Sequence, residues 1–211
     1  MQNLVIFREN TDKYGDSSLF EAYYQRMPPD RQAKIDRMTF PKDKRLSLGA
    51  GVLLQQALAH AGMVAGVAEV GENGKPFFPT LKDRFRFNLS HSGSEVLCVA
   101  NYGPEEVGCD IEEMREPDLR VAERFFHPGE YAYIRSFEDQ SNRKEAFYRI
   151  WTLKESFLKV TGLGMKADLR SFEITIGKGI AVKQQIRNVD YVFHSELDGE
   201  YALAWCMEKT N

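Results

Sequence analysis

Three carboxylates have the type and spacing to do chemistry: Asp110 and Glu112 in the run Val107-Gly-Cys-Asp-Ile-Glu112, and Glu155 in Trp151-Thr-Leu-Lys-Glu-Ser-Phe157. In an extended strand side chains alternate faces, so Val107, Cys109 and Ile111 point one way into a core while Gly108, Asp110 and Glu112 share the other face. Like charges that close repel unless a cation or a proton lies between them. A lone D-x-E is equally the pattern of an edge strand with a solvated acidic face, so the pair alone decides nothing. Glu155 belongs to a segment whose spacing predicts a helix from about Arg143 to Thr161. Ala146, Ile150, Leu153, Phe157 and Val160 form one apolar stripe, while Tyr148, Thr152, Glu155 and Lys159 fall on the opposite face. Glu155 and Lys159 are also an i, i+4 pair in the favourable order, a surface contact that contributes only about 0.2–0.5 kcal/mol.

The elements that must position these groups are of two kinds. A second helical pattern, Asp43 to Ala61, is apolar nearly all round and predicts a buried helix. Strand patterns run over Phe85–Leu89, Glu95–Ala100, Val107–Glu112, Phe172–Ile176, Ile180–Ile186, Tyr191–Ser195 and Tyr201–Met207, with Gly177-Lys178-Gly179 and Asp198-Gly199 as turns. Phe87 to Ala100 echoes Tyr191 to Cys206 as strand, polar turn and strand, each preceded by a long helix. The expectation is an α+β fold of two similar, pseudo-twofold halves with mostly antiparallel sheets, residues 1–104 and 105–211.

Composition narrows the class. The 211 residues are 43% apolar and 28% charged, ordinary for a soluble globular protein. A net charge of −3 argues against general nucleic-acid binding through phosphates. The four-residue apolar run before Arg8 is too short for a signal-peptide core, and no window approaches a membrane span, so a cytoplasmic protein is expected. Cys98, Cys109 and Cys206 lie inside strand patterns with no C-x-x-C, and read as buried free thiols.

Four motifs occur in one order: Gly74-Lys75-Pro76-Phe77, then Phe87-Asn-Leu-Ser90-His91-Ser92, then the Asp110/Glu112 strand, then Phe147-Tyr-Arg-Ile-Trp151-Thr-Leu-Lys154-Glu155-Ser-Phe-Leu-Lys159. Together they resemble the 4′-phosphopantetheinyl transferases of the long, Sfp-like type, over about Pro28 to Leu169. The resemblance implies an enzyme that moves the phosphopantetheine arm of coenzyme A onto a serine of an apo acyl or peptidyl carrier protein and releases 3′,5′-ADP. It implies Mg²⁺ at Asp110, Glu112 and Glu155, since Mg²⁺ takes one or two carboxylates together with substrate phosphate and water. Lys75, Ser90 and His91 of a Ser-His-Ser turn, and Lys159 on the helix become ligands of the coenzyme A phosphates. Arg31, Lys34 and Arg45, matched by approximate position, fall near the 3′-phosphate. Glu155 and Lys159 become the candidate base and acid, and Glu130 in Phe125-Phe-His-Pro-Gly-Glu-Tyr131 a further acidic group assisting metal or base. A monomer follows from the two-halved length. Two other readings share these groups: a coenzyme A- or carrier-binding module without catalysis, and a Mg²⁺-dependent hydrolase of the coenzyme A phosphodiester.

Overall fold

A computed structural model describes residues 3–71, 73–164 and 167–209. The chain divides into two compact units, Met1–Gly71 with Pro76–Pro104 and Glu72–Lys75 with Glu105–Asn211. The first unit opens with β1 (Leu4–Asn10), a strand absent from the sequence reading, followed by α1 (Ser17–Tyr24), α2 (Pro29–Asp36) and the long α3 (Pro41–His60). Proline opens both α2 and α3, where its missing N–H costs nothing and its fixed φ suits the first turn. The short strands β2 (Glu69–Val70) and β3 (Pro76–Phe77) pair antiparallel, and β4 (Arg86–Ser92) and β5 (Glu95–Asn101) form a hairpin. The sheet order is β1-β5-β4, all antiparallel.

Helix α3 is apolar all round because it is buried on two sides. Leu46, Leu53 and Ala57 pack with Phe85 and with Phe87 and Val96 of the sheet, while Leu48 and Val52 pack with Tyr14, Met27 and Ile35. Ser90 and His91 are not in a turn, as the motif suggested, but on β4 itself. The turn is the residue pair Gly93-Ser94, with Ser92 opposite Glu95 and Gly93 at φ 58°, the conformation that the first position of a type II′ hairpin requires.

The second unit repeats the plan. It holds β6 (Val107–Glu113), α4 (Leu119–Phe125), α5 (Pro128–Arg135), α6 (Gln140–Thr161), the hairpin β7 (Glu173–Ile176) and β8 (Ile180–Lys183), and the hairpin β9 (Asp190–Asp198) and β10 (Tyr201–Lys209). The order β6-β10-β9 matches β1-β5-β4: in each unit the opening strand pairs with the second strand of the hairpin that follows the long helix. The fold is thus α+β with antiparallel sheets and two similar halves. Helix α6 starts where Asp139 caps the Asn142 N–H and stops at Gly162, at φ 69°. Strand β8 ends earlier than the sequence pattern because the Gln184 carboxamide accepts the Ile186 and Arg187 N–H groups and donates to the Arg187 carbonyl, closing a local turn. Cys98, Cys109 and Cys206 are buried thiols outside any disulfide. No described helix is long and apolar enough to cross a membrane.

Candidate functional site

In the second unit the site begins with a glycine. A Cβ on Gly108 would sit 2.1 Å from the Ser156 carbonyl oxygen and 2.5 Å from the Val160 nitrogen, so the backbone of α6 lies directly against β6 there. Gly108, Asp110 and Glu112 share that strand face. The face opposite Val107, Cys109 and Ile111 is therefore not a solvated one; it is the face on which α6 packs. Asp110 is 3% exposed, and across the contact Lys159 Nζ donates to Asp110 Oδ1 at 2.6 Å. Lys159 thus forms an ion pair across the contact with Asp110, and it also acts electrostatically on Glu155 one turn earlier on α6.

Glu155 completes the group. Burial pushes its carboxyl above the usual range, the charge of Asp110 pushes it further, Lys159 opposes, and Glu112 adds to the rise. Burial depresses the Lys159 ammonium, but the charge and hydrogen bond of Asp110 together with Cys109 and Glu155 outweigh it, and the net shift is upward. Among the described residues no group of three or more His, Cys, Asp or Glu side chains stands as it would to hold a metal ion. The donor set nonetheless fits a hard divalent cation. It is all oxygen, its negative charge exceeds what Lys159 offsets, and Mg²⁺ needs only one or two carboxylates while substrate and water fill the remaining positions.

Glu130 has a different place from the one expected. It is 1% exposed; Oε1 accepts from Lys154 Nζ at 2.7 Å and from the Ile174 N–H, and Oε2 accepts from the His127 N–H in a capping box at the start of α5. Lys154, itself 1% exposed, also donates to the Phe172 carbonyl and lies 4.0 Å from the centre of the Phe172 ring. Both oxygens of Glu130 are thus engaged in tying α6 to α5 and β7. Lys154 was missed as a structural residue although its position carried the signal: residues 150, 153, 154 and 157 are spaced i, i+3, i+4 and i+7, so a lysine stands on the apolar stripe and must find an interior partner.

Lys75 is folded in with the second unit. Its ammonium donates to Glu106 Oε2 at 2.6 Å and to the Val107 carbonyl at 2.7 Å.

In the first unit Arg31, Lys34 and His91 come together on one cavity of about 600 Å³, lined also by Phe40, Leu46, Ser47 and Leu89 and by the acidic Asp30 and Asp43. Burial lowers the Arg31 value against the pull of Asp30, and lowers that of Lys34 with the repulsion of Arg31 and Arg37 added. Cations held at a depressed value by burial and by each other are stabilised by an arriving anion. Ser90 is 7% exposed on the strand between Leu89 and His91. Arg45, on α3, is not among the residues lining this cavity.

Comparison with known proteins agrees in both units. A family described as 4′-phosphopantetheinyl transferase superfamily matches residues 106–206, and one described as 4′-phosphopantetheinyl transferase, N-terminal, matches residues 16–103. A 4′-phosphopantetheinyl transferase of Bacillus subtilis is 32% identical, over 84% of this chain and 80% of its own. The psf-1 transferase of Bacillus pumilus is 33% identical over 85% of this chain and 78% of its own, and HetI of Nostoc sp. is 38% identical over 70% and 64%.

Proposed function

The chain belongs to the 4′-phosphopantetheinyl transferases, and from that membership we propose how its residues divide the reaction. The enzyme transfers the 4′-phosphopantetheine group of coenzyme A to a serine of an apo carrier protein and releases 3′,5′-ADP. The serine oxygen bonds to the β-phosphorus, the bond from that phosphorus to the bridging oxygen breaks, and that oxygen leaves with the nucleotide.

In the second unit Asp110, Glu112 and Glu155 would hold Mg²⁺, which when bound supplies Lewis-acid stabilisation of the charge growing on the pyrophosphate. Glu155, the carboxylate that α6 contributes to this group, takes the serine proton. Lys159, kept protonated by Asp110, donates to a phosphate oxygen. Lys75 adds a second cation. In the first unit Ser90 and His91 donate to phosphate oxygens, and Arg31 and Lys34 hold the 3′-phosphate. The observation that carries this division is the close packing at Gly108, because it brings Asp110, Glu155 and Lys159 onto one face. Buried thiols outside any disulfide accord with a reducing, cytoplasmic setting, and the proposed working form is a monomer.

The test is to incubate the protein with coenzyme A, Mg²⁺ and apo carrier proteins from fatty-acid, polyketide and nonribosomal-peptide pathways, and to weigh each carrier. At least one gains one phosphopantetheine group, and chelating the metal stops the gain. No gain on any carrier, with free phosphopantetheine released from coenzyme A, would assign the site to hydrolysis instead.

A further inference from the structure

Lys75 is held by an unusual strap. Asn73 Nδ2 donates to the Gly162 carbonyl at 2.6 Å, at the left-handed cap that ends α6, and Gly74 turns the chain at φ 87°. Two residues after Asn73, Lys75 reaches the residue before β6 and the first residue of that strand, Glu106 and Val107. The strap therefore joins the end of α6 to the start of β6, the two elements that carry the carboxylates. The Lys75–Glu106 pair is mostly buried, its side chains 20% and 27% exposed.

Glu106 is fixed where it stands. Its N–H donates to Glu208 Oε2 at 3.3 Å, its carbonyl accepts from the Glu208 N–H at 3.1 Å, and Glu208 is itself bridged by Arg187 at 3.0 Å. These bonds fix the Glu106 backbone, so its carboxylate can turn on its own side chain but stays in the neighbourhood of Lys75 when the ammonium turns to another anion. It presents to the lysine what a phosphate oxygen would, an anionic acceptor at charge-assisted hydrogen-bond distance.

We propose that Glu106 is an affinity-determining residue for coenzyme A: it occupies Lys75 in the unliganded protein and is exchanged for a phosphate oxygen when substrate binds. The inference rests on Lys75 being a phosphate ligand. Binding must break a part-buried ion pair, and the displaced carboxylate then stays near a polyanion; both effects weaken binding. The same carboxylate reclaims the lysine when 3′,5′-ADP departs, so it favours product release.

Titration calorimetry with coenzyme A on the wild type, Glu106→Gln, Lys75→Met and the double variant tests this. Glu106→Gln is expected to lower the Kd roughly 3- to 10-fold, the scale of one near-surface charge, and Lys75→Met to raise it about tenfold. In the double variant most of the gain from Glu106→Gln disappears, because its partner is gone. If Lys75→Met weakens binding while Glu106→Gln leaves it unchanged or weakens it too, Glu106 does not compete and the inference falls while Lys75 keeps its role. If Lys75→Met has no effect on Kd, the reading of Lys75 falls and the inference with it.

Discussion

Burial and the charges of Asp110 and Glu112 act against an ionised Glu155, and only Lys159 acts for it. A carboxyl with a native-state value above its unfolded one holds its proton more tightly when folded, so ionising it costs stability. That cost is absent well below the ordinary value of 4.5, grows as pH rises through the elevated native value, and is complete above it. Glu155→Gln should therefore lose transfer activity by about 10²- to 10⁴-fold and yet melt higher than the wild type in metal-free buffer at neutral pH. Scanning calorimetry should show the gap closing under acid conditions; a Glu155→Gln protein that melts lower at neutral pH would refute the crowding. The neighbouring Lys154 behaves in the opposite sense. Lys154→Met leaves Glu130 charged, buried and without its cation, so denaturant unfolding should report a loss of about 3–5 kcal/mol, whereas removing both charges with well-packed apolar residues costs less. These two adjacent residues show what the sequence could and could not reveal. Spacing and motif order singled out Glu155, but the spacing left its partner as Lys159, because a local pair is all that a helical wheel can display. Asp110 as the actual partner of Lys159 depends on a strand 49 positions away in the chain.

At the scale of elements, the site depends on one close approach. Any side chain on Gly108 collides with the backbone of α6, which has no flexible end to move aside. Gly108→Ala should push α6 away from β6, cost about 1–3 kcal/mol of stability, and lower kcat by separating Lys159 from Asp110. Gly177→Ala is the control, since a Cβ there meets nothing within 4 Å and stability should stay within about 0.5 kcal/mol of the wild type. A Gly108→Ala enzyme with native stability and turnover would mean that α6 can shift without harm. The long helices, the β4–β5 and β9–β10 hairpins and β6 were legible because their signals are local: apolar spacing, glycine stops and turn residues. Strand β1 was not, because it forms an edge whose strand partner among the described residues, β5, lies near the far end of the unit, with Leu4 opposite Asn101. Helices α4 and α5 also escaped. Their residue spans are short, and α5 is defined chiefly by its proline start and by the His127–Glu130 capping box rather than by a long stripe.

At the scale of the whole molecule, a net charge of −3 gives coenzyme A no general attraction, so recognition of a polyanion must come from local cations. The two units hold different sets. The first has Arg31 and Lys34 on its cavity; the second has the groups proposed for chemistry. Substitutions in the two units should then separate in kinetics. Replacing Arg31 and Lys34 together by Gln removes binding that is the same in ground and transition states, so KM for coenzyme A should rise about tenfold or more while kcat stays near the wild-type value. Glu155→Gln should do the reverse, lowering kcat with little change in KM. The 3′-phosphate itself can be isolated by comparing coenzyme A with its dephospho form, which lacks that group. The wild type should prefer coenzyme A, the Arg31/Lys34 variant should lose most of the preference, and Arg45→Gln should keep it, because Arg45 does not line the cavity. Equal loss on both substrates would show that Arg31 and Lys34 act on the nucleotide as a whole; a preference abolished only by Arg45→Gln would move the 3′-phosphate from this cavity to the other side of α3.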